Sequence, residues 1–442
     1  MHTTNTVSRV VDLLEPNGNT IFGMSVEEAR AIVGRGNADE IRGIDGQFAL
    51  VARDGTTVRM ARTIGKLMRY FVAKREAGPT LVVSDRIDAI HAWLKSEGLA
   101  DQFHPSYTRM VPAHYLVEVR LIGCPDPNPT YHRFFAPAHL PLPADAGVIG
   151  ETYVGAVYTE IRKWLKTIPS DAPVGVCFSG GIDSGSIFLL TYHAMLKMGQ
   201  NPSRLKAFTL SIDGCGEDLQ QARSFLKTID LELFLETIEV PRDALSLDDA
   251  IRVIEDYKPL DVQAGAMLLA LCRGIRQRYP GWQYLLDGDG GDENLKDYPI
   301  EENPELTIRS VLNNRMLYQE GWGVESIKHS LTYSGGQSRG YARTYAPAAT
   351  NAFRSFSPFV SPSVIEVAEA IPFVELTDWD HERLYALKGS IVSAGVRSVT
   401  GMDMPVFEKR RFQHGVMSRG TFADLFPGDP IAYRRTFHAI YQ

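Results

Sequence analysis

Cysteine is scarce in this chain: four in 442 residues, at Cys124, Cys177, Cys215 and Cys272, with no Cys-x-x-Cys pair among them. That excludes the usual zinc and dithiol redox signatures and leaves reduced, structural thiols. Long apolar runs are also missing. None approaches the ~18–20 residues that a membrane helix needs, and the opening MHTTNTVSRVVDLLEP has no signal-peptide pattern. No membrane partner and a cytoplasmic location are therefore expected. Positive charge is not in excess, since 46 Lys and Arg face 53 Asp and Glu for a net charge of -7. This balance argues against sequence-independent nucleic-acid binding as the main task, so no nucleic-acid partner is expected. Internal repeats and low-complexity tracts are absent, which disfavours a solenoid or a disordered hub.

What is present is an ordinary globular composition, 44% hydrophobic and 22% charged, over a length that suggests two or three domains. The most informative stretch is VGVCFSGGIDSGSIFL, residues 174–189. It reads as a buried strand, a glycine turn and a helix start. Adjacent glycines let the backbone approach a ligand, and the N–H groups at a helix start favour an anion. Ser179 and Ser184 add hydroxyl donors, and Asp183 can hold a divalent cation against phosphate oxygens. The Gly-Lys-Ser/Thr ending of a Walker loop is lacking, which disfavours kinase-type and GTPase-type loops.

Beyond this turn strand and helix alternate: strand 205–212, helix 218–228, strand 232–240, helix 245–257, helix 263–278 and strand 282–286. That order predicts an α/β fold built on a parallel, helix-covered sheet, with ligands at the carboxyl ends of the strands. The last of these strands runs into Asp287-Gly288-Asp289-Gly290-Gly291-Asp292-Glu293, four carboxylates in seven residues. Clustered carboxylates repel one another unless a cation neutralises them, and Mg²⁺ is the expected ion. A calcium loop fits less well because its regular ligand spacing is missing, and a solvated acidic turn is the plain alternative.

The segments around residues 1–150 differ, with short apolar or alternating runs broken by turn pairs such as Asp54-Gly55, which predicts hairpin-rich β structure. A proline-rich crossing at 125–150 leads into a helix over 151–167. Residues 301–442 read as mainly helical, with helices over 305–319 and 361–371. Arg339, Arg343 and Arg354 are candidates for a basic pocket wall.

The SGGIDS turn resembles the SGGxDS pyrophosphate loop of the ATP-pyrophosphatase superfamily. DGDGGDE resembles the SG(E/D)GxDE loop of asparagine synthetases and of the β-lactam-forming synthetases. EKRRFQHG (408–415) is similar to their late RxKxxFxxG segment, and IDGQFALVARDG, LVVSDRIDAI and MVPAHYLVEV resemble parts of the glutaminase domain of class B asparagine synthetases. The resemblance implies an N-terminal α+β, Ntn-hydrolase-like domain over 1–145 and an ATP-pyrophosphatase (adenine nucleotide α-hydrolase-like) domain over 146–442. The glutaminase cysteine has no counterpart, since His2 and Thr3 follow Met1 and no cysteine precedes Cys124. The N-terminal domain is therefore expected to be degenerate and non-catalytic.

Carried over by position, Ser179, Gly180, Gly181, Asp183 and Ser184 would cradle pyrophosphate, and Asp183 and Asp292 would hold Mg²⁺. Phe178 and Leu210 match positions that flank adenine, and Asp287 and Gly288 would lie near the nucleotide. Asp289 stands where asparagine synthetases carry a glutamate near the attacking amine. Lys409 matches the lysine over the reaction centre. Asp287 departs from the family's serine.

The implied function is an ATP-dependent, AMP-forming carbon–nitrogen ligase with ATP and Mg²⁺ as cofactors. It would adenylate a small-molecule carboxylate and pass it to an amine or ammonia without glutamine, in a specialised biosynthetic pathway; a homodimer is compatible with it. Two alternatives stay open: an adenylating enzyme with a non-amine acceptor, and a silent nucleotide-binding scaffold.

Overall fold

The computed structural model describes residues 9–76, 78–120, 128–138, 140–214, 216–297, 300, 307–313, 341–407, 417 and 419–441. In the first part of the chain the strands are β1 (Arg9–Asp12), β2 (Thr20–Ile21), β3 (Gly46–Gln47), β4 (Ala49–Asp54), β5 (Thr57–Arg62), β6 (Arg69–Ala73), β7 (Thr80–Ser84), β8 (Arg109–Met110), β9 (Tyr115–Arg120) and β10 (Thr130–Arg133). They form two four-stranded sheets, ordered β1-β7-β6-β8 and β10-β9-β5-β4. Alternation along each strand sends Val51, Val58, Met60, Tyr70, Leu81 and Val117 into a core between the sheets. The outer faces are covered by the helices Val26–Arg35 and Ile87–Ser96. The result is a helix–sheet–sheet–helix stack.

The second part is built on five parallel strands, β11 (Val174–Cys177), β12 (Leu205–Ile212), β13 (Leu235–Val240), β14 (Tyr284–Leu286) and β15 (Arg354–Phe356). Their order across the sheet is β13-β12-β11-β14-β15. The α/β class and the parallel sheet expected from the strand–helix alternation are thus observed. Both faces are buried. Val174, Val176, Ala207 and Leu286 join one core, and Cys177, Phe208, Leu210 and Leu285 the other, as a period of two requires. The direction of winding reverses between β11 and β14, and that is where doubly wound sheets open a crevice at their carboxyl ends.

Several elements depart from the expected bounds. The helix predicted over 151–167 runs from Ala146 to Thr167, because Asp145 caps it by accepting from the Val148 N–H at 2.9 Å. The helix predicted from 263 begins at Pro259, a residue whose missing N–H is harmless in a first turn. Residues 232–234 form a 3-10 turn before β13 rather than its first residues. Of the helix predicted over 305–319, Ile308–Asn313 is described and helical.

Two elements that bear on the site had no expected bounds. One is β15. The other is the helix His381–Thr400, capped by Asp380 at its start and by Gly401 in the left-handed region (φ 76°) at its end. This helix lies directly on Ala146–Thr167. A Cβ on Gly150 would fall 2.8 Å from the Gly395 nitrogen, so the two backbones touch where neither has a side chain.

Candidate functional site

The turn after β11 is held by its own hydroxyls. The Ser179 N–H donates to Ser184 Oγ at 3.2 Å, the two hydroxyls lie 3.2 Å apart, and the Gly181 N–H donates to Ser179 Oγ at 3.3 Å. Gly180 adopts φ 75°, and a Cβ there would sit 2.8 Å from the Ala222 backbone, so only glycine serves. The helix Ile182–Lys197 starts at Gly181 with no side-chain cap. Its first-turn N–H groups are left to an incoming anion.

The loop after β14 folds onto this turn. A Cβ on Gly288 would lie 3.0 Å from Asp183 Cβ and 3.2 Å from the Ser184 nitrogen, and one on Gly291 would collide with the Asp183 carboxylate. The glycines of the second loop thus allow the two motifs to touch. The strands that carry them, β11 and β14, are the pair at the winding reversal.

The cation that the structure brings to the clustered carboxylates is a lysine. Lys388, on the buried stripe of His381–Thr400, donates to Asp183 Oδ2 at 2.6 Å and to Asp292 Oδ1, with Asp297 Oδ2 at 3.4 Å. Its side chain is 3% exposed. Burial by itself would lower the ammonium's pKa, but the three carboxylates together hold it well above the ordinary lysine value. The sequence contained a signal for this residue that went unused. Lys388 falls four positions after Leu384 and three before Ile391, inside an apolar helical stripe.

The other three acids of the loop are more enclosed. Asp287 is 2% exposed; its Oδ1 accepts from Ser357 Oγ at 2.6 Å and from the Asp289 N–H at 3.1 Å. Burial lifts it to about 6, against the opposing pull of Ser357, the Asp289 N–H and Lys66. Asp289 Oδ2 accepts from the Thr344 N–H at 3.1 Å. Burial, then the charge of Asp287, raises Asp289 well above the carboxylate range. Burial and Asp292 lift Glu293 to about 7. These are the conditions under which a carboxylate becomes a usable base near neutrality.

The structure therefore brings Ser179, Gly180, Gly181, Asp183, Ser184, Asp287, Gly288, Asp289 and Asp292 to one crevice. Phe178, just after β11, and Leu210, in β12, are buried in the cores on opposite faces of the sheet, with Phe178 edge-on to Phe188 and Phe225. Lys409 lies outside the described residues, as does Arg339. Of the two described arginines expected in a basic wall, Arg343 lies by the acidic loop and Arg354 does not. Arg343 is bound to the buried Asp261, at 2.6 and 2.8 Å, and its charge also acts on Asp289 and Glu293, whereas Arg354 starts β15 at the end of the sheet away from the loops.

The family model described as asparagine synthase matches residues 166–376, which hold both loops. The matched part of the chain is similar to the asparagine synthase family. Asparagine synthetase [glutamine-hydrolyzing] 2 of Lotus japonicus is 30% identical over 162 residues, 35% of this chain and 25% of that protein. Asparagine synthetase B [glutamine-hydrolyzing] of Escherichia coli (strain K12) is 27% identical over 196 residues, 38% of this chain and 34% of that protein. The chain spans about a quarter to a third of the length of these relatives. Among solved structures, the U34-tRNA thiolase NcsA from Methanococcus maripaludis with its [4Fe-4S] cluster aligns with 60% of this chain and 91% of its own. Its TM-score is 0.25 and its identity 14%, too remote a likeness to carry an argument. The asparagine synthase match ends before Lys388.

Proposed function

We propose that the chain is an ATP-dependent ligase that makes an amide with release of AMP and pyrophosphate. The observation that carries this reading is the junction of the two loops at the β11–β14 crevice, with Asp183 and Asp292 gripped by one buried lysine. Oxygen of a substrate carboxylate attacks the α-phosphorus of ATP, and the bond to the β-phosphate oxygen breaks. Ser179, Ser184 and the N–H groups from Gly181 onward take the departing pyrophosphate. An amine then attacks the activated acyl carbon; a C–N bond forms, AMP leaves, and the amine's proton passes to a base. Asp289 is the residue assigned to orient and deprotonate that amine, since its enclosed position makes it basic. Lys388 supplies positive charge beside the pyrophosphate, and Lys409 is assigned to charge developing at the α-phosphate.

The donor set also fits Mg²⁺. Among the described residues no three His, Cys, Asp or Glu form a closed metal cage. Two carboxylates from two loops, with phosphate oxygens completing the shell, is the usual arrangement for this ion. Asp183 and Asp292 would hold it, with Asp292 the more open at 40% exposure, and Lys388 would share them. When bound, the ion would neutralise charge on the pyrophosphate.

Residues 1–123 hold no cysteine, and ammonia or an amine is the assigned nitrogen source. The test is acid-dependent exchange of pyrophosphate into ATP over a panel of carboxylic acids. Exchange that is lost in Asp183→Asn and Lys409→Ala supports the ligase. Absence of exchange with every acid would sink it, and amide formed from glutamine alone would sink glutamine independence.

A further inference from the structure

We propose that Lys66, carried by the N-terminal half, is a positioning residue of the ligase site: its ammonium is the fixed countercharge that keeps Asp287 ionised and leaves Asp287 Oδ2 as an acceptor for the N–H of an incoming amine. This rests on the reading of the crevice as a ligase site.

Asp287 stands at the centre of the second loop, and its Oδ2 is buried without a hydrogen-bond partner, while Oδ1 is saturated by Ser357 and the Asp289 N–H. A buried, unpartnered carboxylate oxygen is costly and calls for a group that arrives later. Opposite it is a lysine with the complementary deficit. Lys66 is 4% exposed. Among the described residues its ammonium forms neither a hydrogen bond nor an ion pair, yet Asp287 and Asp85 are the carboxylates that act on it electrostatically. Its other neighbour is the ring of Tyr345, 5.0 Å from Nζ, whose hydroxyl donates to Asp85 Oδ2 at 3.2 Å. A purely structural pair would be expected to close to contact. The two charges act on each other without a direct hydrogen bond between them, which suits a bridging ligand group.

The placement of Lys66 is rigid. Its carbonyl accepts from Arg62 Nη1 at 2.7 Å, and Arg62 is itself fully buried. The preceding Gly65 is pressed so close that a Cβ would lie 2.6 Å from Gln47 Oε1. Gln47 in turn donates through Nε2 to the Ser357 carbonyl at 2.8 Å, and Ser357 holds Asp287. One N-terminal segment thus contacts the acidic loop twice, by hydrogen bond through Gln47 and Ser357 and by charge through Lys66. Asp287 occupies the position where the resembling synthetases carry a serine, so a countercharge is needed here and not there.

The experiment measures amide formation from acid and amine, with acid-dependent ATP–pyrophosphate exchange as the control for the first half-reaction and melting temperature for folding, for Lys66→Met, Lys66→Arg, Asp287→Asn and the double variant Lys66→Met/Asp287→Asn. Lys66→Met is expected to lower kcat for amide formation by roughly tenfold with little change in KM for ATP. Lys66→Arg should recover most of that loss, and Lys66→Met should cost nothing further in the Asp287→Asn background. Losses that multiply in the double variant, or Lys66→Arg as impaired as Lys66→Met, overturn the proposal. If Lys66→Met does not fold, Lys66→Gln takes its place in the cycle. If the wild-type chain shows no exchange with any acid, the ligase reading fails by itself. The Lys66–Asp287 coupling is then read from urea unfolding of the same variants, where a coupling below about twofold in the unfolding constant overturns it.

Discussion

Two buried lysines approach the same acidic loop from opposite halves of the chain, and they are held in opposite ways. Lys388 touches three carboxylates, and its proton is bound more tightly than in water. Lys66 faces two carboxylates without reaching either, and burial lowers it to about 8. Burial is common to both, so the difference comes from contact. Coulomb attraction repays desolvation only when partner oxygens are within bonding distance. A lysine whose charge is fully compensated is a structural clamp, whereas one left short of compensation can still respond to a ligand.

The largest expected effect comes from breaking the clamp. Lys388→Met leaves Asp183, Asp292 and Asp297 crowded without their cation, and should reduce unfolding free energy by about 3 kcal/mol, read from urea denaturation. A variant as stable as wild type would show that the three carboxylates do not need it. Next comes the contact that places Lys388. In Gly395→Ala the new methyl would collide with the Gly150 carbonyl, and a loss of about 1–3 kcal/mol is expected. Exchange activity should fall with it; an unchanged melting temperature would mean that the helices can separate without cost. Asp297→Asn removes the most distant of the three partners, at 3.4 Å, and should cost about 1 kcal/mol.

The smallest effect separates the two lysines by the sign of their pH dependence. Lys66 binds its proton less tightly when folded, so the folded state sheds it first as pH rises from about 8 towards the ordinary 10.5. Its contribution to stability therefore increases over that window. Lys388 behaves in the opposite way: its contribution is complete below 10.5 and falls away only above it. Melting curves from pH 8 to 10.5 should thus lose an upward component in Lys66→Met relative to wild type. Parallel curves would remove Lys66 from the account.

Both loops could be read in the sequence because each compresses its chemistry into seven or so consecutive residues, glycines included. That the loops would meet was legible from the strand–helix order, since β11 and β14 had to lie in one parallel sheet. Lys388 was hidden for a physical reason. A charge within an apolar stripe looks like an ordinary helical lysine until the carboxylates that receive it are known to lie opposite. Lys66 was hidden more deeply, because its meaning depends on how Gly65 and Gln47 seat against Ser357, residues some 300 positions apart in the chain. β15 has three residues, too few for a period of two to register. That Arg343 also binds Asp261 was hidden, because nothing near it in sequence announces that partner.

The strand order has a further consequence during synthesis. β11, β12 and β13 leave the ribosome in sequence and can pair outward from β11, but β14 must return to the open side of β11 after two helices have been made. A nascent chain that has not yet reached Leu286 possesses the serine and glycine turn with nothing across from it. Affinity for pyrophosphate should therefore appear late and abruptly along the growing polypeptide, when the fourth strand docks, and the stretch delivered before that moment is a scaffold still waiting for its other jaw.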